Sequence, residues 1–197
     1  MASGRELKDI YNAMKRICLE TSELLVLVRD IMGENGFVPT NGARIIWDTS
    51  ASFARPKQWL PYFQQMLFIP RAGGSRAVGI NILWDDEDLG DHIPFLSAGV
   101  CYFESGSTPS QSNEFYWAGW QEESTPHGAA LYETVYDSPT KKVLNYLLPL
   151  DVLSDESRVR ELVIEPLMLL FHERFDEVEK TVAPYALHKQ DIEAQAD

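Results

Sequence analysis

From Ala77 to Thr140 the chain contains no lysine and no arginine. At the overall frequency of 17 basic residues in 197, about 5 or 6 would fall in that stretch. It carries 11 acidic residues instead, beginning with Asp85, Asp86, Glu87, Asp88 and Asp91. This absence argues against two function classes. A generic nucleic-acid binder needs a Lys/Arg patch to displace counterions. Only Arg44, Arg55, Lys57, Arg71 and Arg76 could build one, against a repelling background. A nuclease-type centre pairs carboxylates with a strand lysine that stabilises charge on the attacked phosphate. The stretch offers none.

Cysteine is scarce as well. Cys18 and Cys101 have neither CxxC nor Cys/His metal spacing, which argues against a disulfide scaffold and a structural zinc site and fits a reducing compartment. No apolar run approaches the ~18 residues of a membrane span. The opening MASGRELKD lacks the apolar core of a signal peptide, and no N-x-[ST] sequon occurs. The expectation is a cytoplasmic protein with neither membrane nor nucleic acid as partner. Walker, Rossmann, kinase and zinc-hydrolase spacings are missing too.

What is present reads as one globular domain over residues 1–184, followed by a polar, frayed tail over 185–197. The net charge of −13 is uneven: −1 over 1–36, +4 over 37–76, −11 over 77–140 and −5 over 141–197. Ser3 with Glu6 predicts a capping box opening a long helix. Leu7, Ile10, Met14, Ile17, Thr21, Leu24, Val28 and Ile31 then alternate in steps of three and four. Tyr11, Cys18, Leu25 and Met32 widen that line to three positions per heptad, which favours packing on the chain's own core over a two-stranded coiled coil. A helix-mediated homodimer is the alternative. Gly33 and Gly36 supply the stop.

Strands are predicted at Ala43–Trp47, Met66–Pro70, Ala77–Trp84, Phe95–Glu104, Phe115–Gln121 and Ala130–Asp137. Short connections favour an antiparallel meander, with Gly73-Gly74 as a hairpin turn rather than a nucleophile elbow or phosphate loop, since a strand follows it. Ser138-Pro139 suits the start of a short helix, whereas Val143–Leu148 also reads as a strand. Helical spacing returns from Ser154, with Pro166 kinking or restarting the helix. The fold class is α+β: a long N-terminal helix and a C-terminal helix packed on a mostly antiparallel sheet of about 5–6 strands.

The cluster Asp85, Asp86, Glu87, Asp88, Asp91 and His92 supplies hard oxygen ligands and an imidazole at a strand end. Asp85, Asp86, Asp88 and His92 would suit Mg²⁺, Mn²⁺ or Ca²⁺ in a metal-dependent hydrolase. The EF-hand template fails, because its twelfth position falls on Leu96. The bland alternative is a solvated acidic turn. Cys101, with His92 or His127 as base, reads as core cysteine rather than nucleophile. Aromatic residues crowd the same stretch, and aromatics ringed by carboxylates suit cations. The reading this supports is a non-catalytic binding or regulatory protein without a cofactor, of the inhibitor, toxin-neutralising or adaptor type. Asp85, Asp86, Glu87, Asp88, Asp91, Glu122 and Glu123 would steer a basic protein or cationic ligand, with Trp117 or Trp120 as anchors. A small-ligand or sugar-binding sheet is the third reading.

Overall fold

The computed structural model describes residues 3–40, 45, 60–84, 93–105, 107, 115, 119, 123–188, 190 and 192. Helix α1 spans Gly4–Glu34. The Ser3 hydroxyl accepts the Glu6 backbone N–H at 3.3 Å, and the Glu6 carboxylate accepts the Ser3 N–H at 2.6 Å, completing the capping box. These bonds, that from the Ser3 backbone first, hold the Glu6 carboxyl below its ordinary 4.5. A carboxyl lowered in the folded state stabilises it above the unfolded value and loses that contribution as pH falls through the folded one. Taking the pH from about 6 to about 3 is therefore expected to fray the start of α1 first. A pH series of amide exchange over residues 4–10 measures this; unchanged protection would count against the cap.

Among the described residues, seven antiparallel strands form one sheet: β1 (Phe37–Pro39), β2 (Phe63–Pro70), β3 (Arg76–Leu83), β4 (Phe95–Phe103), β5 (Thr125–Pro126), β6 (Tyr132–Val135) and β7 (Thr140–Pro149), in the order β1-β2-β3-β4-β7-β6-β5. Three of the seven were not predicted as strands: β1 and β5, which are too short to show a period in sequence, and β7, which reads as helix or strand. Thr140–Pro149 is strand, not helix, and lies beside β4 near the middle of the sheet. Ser138 makes a turn there rather than a helix cap: its hydroxyl donates to the Thr140 carbonyl and accepts the Thr140 N–H. The strand predicted at Phe115–Gln121 is not formed at its two described residues. Phe115 is helical and Gly119 is a turn with φ of +94°. The strand predicted at Ala43–Trp47 lies outside the described residues except Ile45, whose carbonyl accepts the Gln65 N–H.

After a 3₁₀ turn at Leu150–Val152 the chain forms α2 (Glu156–Val159), a π-helical turn (Arg160–Ile164), α3 (Glu165–Phe171) and α4 (Phe175–Val182). The kink or restart expected at Pro166 takes the form of a widened turn, after which an α-helix resumes at Glu165. Proline has no N–H for the Leu162 carbonyl four residues back, and its ring crowds that carbonyl. The preceding turn opens to π geometry, and the buried Tyr146 hydroxyl donates to Leu162 O at 2.8 Å. Burial pushes the Tyr146 phenol well above its usual range.

One sheet face carries Val78, Ile80, Leu96, Val100, Leu144 and Tyr146 toward the helices, and the C-terminal half of α1 closes this core with Leu25, Val28, Ile31 and Met32. The other face is also buried, under Phe115 and the end of the chain. The tail does not simply fray at its described residues. The Leu187 N–H bonds the Leu147 carbonyl, and Ile192 is 2% exposed beside Phe63, Leu83, Phe95 and Leu147. Among the tail's described residues, Leu187 and Ile192 pack on this face, and Tyr185 and Ala186 pack on the helix-side core.

Candidate interaction site

Asp85, Asp86, Glu87, Asp88, Asp91, His92, Trp117, Trp120 and Glu122 lie outside the described residues. Glu123 lies within them, exposed in the turn before β5. Two other carboxylates of the basic-free run have partners that chain order conceals. Glu104 Oε1 lies 3.7 Å from Lys141 Nζ, and Glu133 Oε2 lies 3.3 Å from Lys142 Nζ. Both lysines follow the run by one or two residues, and β7 carries them back alongside β4 and β6. Among the described residues no group of three or more His, Cys, Asp or Glu side chains converges as a metal site. Cys101 is fully buried among Leu67, Ala77, Phe103, Phe115 and Val143.

The feature that stands apart is α1. It packs on the sheet only through its second half. From Ser3 to Glu20 every residue but Met14 is exposed, so roughly 25 Å of helix forms a projecting arm. Leu7, Ile10 and Tyr11 are 57%, 55% and 56% exposed, and Ile17 is 42% exposed. These residues and half-buried Met14 continue the line that Thr21, Val28 and Ile31 bury in the domain. One apolar stripe therefore runs from core to solvent. A capped helix with such an open stripe is what a groove-binding or helix-pairing surface requires.

At the base of the arm lies an open groove of about 450 Å³. Ile17, Thr21 and Leu24 form its α1 wall, while Ile82, Trp84, Ile93 and Leu153 form the opposite one. Glu20 and Asp151 also line it. The Trp84 indole is fixed by its N–H, which donates to Gln64 Oε1 at 2.8 Å.

A second unusual feature lies beneath the other sheet face. Between its two apolar clusters runs a polar band in which Gln65, Asn81 and Ser97 are direct cross-strand neighbours, each at most 1% exposed. Asn145 Nδ2 donates to Ser97 Oγ at 2.8 Å, and the Ser124 and Thr134 hydroxyls lie 2.8 Å apart. Neither amide atom of Asn81 has a hydrogen-bond partner among the described residues. Burying an unpaired amide costs roughly 1–3 kcal/mol, so such a group calls for an explanation.

Compared with known protein families, with curated proteins and with solved structures, the chain finds no match. The geometry alone carries the functional reading. The arm was legible as a stripe, but its emergence from the domain was not, because periodicity records which face is apolar and not what covers it. The polar band was less legible still: an alternating polar residue such as Asn81 reads as solvent-facing until a second layer is known to cover it.

Proposed function

We propose that this chain is a non-catalytic binding or regulatory protein whose recognition element is the arm of α1 with the groove at its base. The observation that carries this is the open stripe of Leu7, Ile10, Tyr11 and Ile17 on a helix already capped without a partner. Monomeric proteins seldom leave such a contiguous apolar surface in water. The acidic, sheet-side route to a basic partner rests largely on residues outside those described, and two of the described carboxylates face lysines of the same sheet. The arm therefore has the stronger physical support.

If the arm serves a partner rather than the core, charges placed on it leave the fold intact. Leu7→Glu combined with Ile10→Glu is expected to shift the unfolding midpoint by less than about 2 °C. The comparison is made below micromolar concentration, where contacts within one chain dominate. A fall of about 5 °C or more would show that the arm belongs to the core, and the reading would be lost.

Asn81 favours a second reading, a small polar ligand held at the buried band. If its amide is unpartnered in solution, Asn81→Val removes an unpaid desolvation and raises stability by about 1–2 kcal/mol in urea titration. A loss of similar size would mean that water or a ligand completes the amide.

A further inference from the structure

We propose that the cavity beneath the C-terminal tail is a binding site for a small organic cation carrying a primary ammonium group. The site is separate from the arm of α1, and neither depends on the other.

The cavity has a volume of about 520 Å³ and lies between the β5–β6 hairpin and the tail. Ser124, Gly128, Ala129 and Tyr132 line it from the hairpin, and His188 and Gln190 from the tail. Small-ligand sites usually span about 300–1,000 Å³, so the size is suitable.

Backbone geometry sets its polarity. Glu179 draws the N–H groups of Ala129, Ala130 and Leu131 to one side of the turn. That side belongs to the helices, since α4 packs on the helix-side core through Val178 and Val182. A trans peptide holds its C=O opposite its N–H, and no cis bond occurs among the described residues. The Gly128 and Ala129 carbonyls therefore turn away from α4. The tail lies on that other side: Ile192 packs on the far sheet face, and Tyr132 is the register partner of Asn145 on the same face.

No donor among the described residues reaches either carbonyl. The turn thus shows the cavity acceptors alone, because the matching donors are spent on Glu179. An ammonium brings three N–H donors. The two carbonyls and the amide oxygen of Gln190 offer acceptors for them.

Neighbouring charges favour the same sign. Among the described residues no lysine, arginine, aspartate or glutamate lines the cavity. On the helix side of the hairpin, Lys142 pairs with Glu133 and sits over the Tyr102 ring, while His127 lies against Phe175. The segments that build the two walls are acidic in sequence. Residues 123–137 carry Glu123, Glu133 and Asp137 with no lysine or arginine, and 185–197 carry Lys189 against Asp191, Glu193 and Asp197. Such a field attracts a cation and repels an anion.

NMR titration of the ¹⁵N-labelled full chain with n-butylammonium chloride, at constant ionic strength, tests the site. Saturable shifts are expected at residues 128–132 and 186–190 with a Kd of about 1–10 mM, and none with 1-butanol. Gln190 is exposed, so Gln190→Lys brings a resident ammonium to the wall without disturbing the core. It is expected to weaken binding at least about tenfold, whereas Gln190→Glu tightens it. No saturable shift up to about 50 mM overturns the site. An equal response to 1-butanol overturns the selection for charge, and unchanged affinity in Gln190→Lys places the amine elsewhere. A capped lysine peptide that binds at least about tenfold tighter than butylammonium would assign the cavity to a partner protein's lysine and overturn the small amine.

Discussion

Gly99→Ala is expected to destabilise the domain by about 3 kcal/mol or more, the upper end of what overpacking does. Gly99 lies mid-sheet in β4, opposite Gly79 on one side and Asn145 on the other. A Cβ there would press on the Leu144 carbonyl oxygen and sit 2.6 Å from Asn145 Cβ and 2.9 Å from Asn145 Cα. Two of those three atoms are backbone, and from Lys142 to Asn145 β7 is held between β4 and β6. Relief would therefore require the strands to separate, where at an exposed turn a side chain would simply swing away. Gly33→Ala in α1 is the matched control. Its Cβ meets nothing within 4 Å, and the change is expected to add about 0.5–1 kcal/mol through helix propensity. Urea midpoints of the two variants should move in opposite directions. A Gly99→Ala loss below about 1 kcal/mol would mean that the sheet yields at this position and that the close approach is not a constraint.

The second large effect is at Glu179 in α4. Its Oε2 accepts the N–H groups of Ala129 and Ala130 at 2.9 Å each, and its Oε1 accepts those of Ala130 and Leu131 at 3.1 and 2.9 Å. One carboxylate thus satisfies three successive amides in the turn between β5 and β6, and Ala130 and Leu131 are only 1% exposed. Gly128, with φ of +121°, lets the chain pass so close that a Cβ would lie 2.9 Å from Glu179 Cδ. Hydrogen bonds to a charged acceptor are worth about 1.5–3 kcal/mol each, and buried amides left without one carry their full desolvation cost. Glu179→Ala is therefore expected to lose about 3 kcal/mol. Amide exchange should rise first in residues 129–135, ahead of the central strands. Glu179→Gln replaces one acceptor oxygen by a donor and should fall between wild type and Ala. Equal protection of this hairpin in wild type and Glu179→Ala would remove the clamp from the account.

Both positions show how far local pattern reaches. Gly99 was legible only as a small residue in a strand, and its meaning comes from Leu144 and Asn145, more than forty residues away. Glu179 reads in sequence as an ordinary exposed helix carboxylate, because its three donors belong to a hairpin nearly fifty residues earlier. By contrast, the α1 capping box, the hairpin at Gly73-Gly74 and the strands β2, β3, β4 and β6 were legible. Each depends on residues within a few positions of one another. Thr140–Pro149 was ambiguous for the opposite reason. Buried on both faces, β7 has no alternation to distinguish it from a short buried helix.

The charge run divides along the same line. By itself, the sequence established that residues 77–140 lack lysine and arginine, that α1 carries a continuous apolar stripe, and that helices flank an antiparallel sheet. Capping, turn chemistry and side-chain period act over one or two turns of chain, so they are written locally. Only the tertiary structure decided that Lys141 and Lys142 return beside Glu104 and Glu133, that Asn81 lies under a second layer, and that α1 leaves its domain at Thr21. Those outcomes depend on strand register and layer coverage, which bring together residues far apart in the chain.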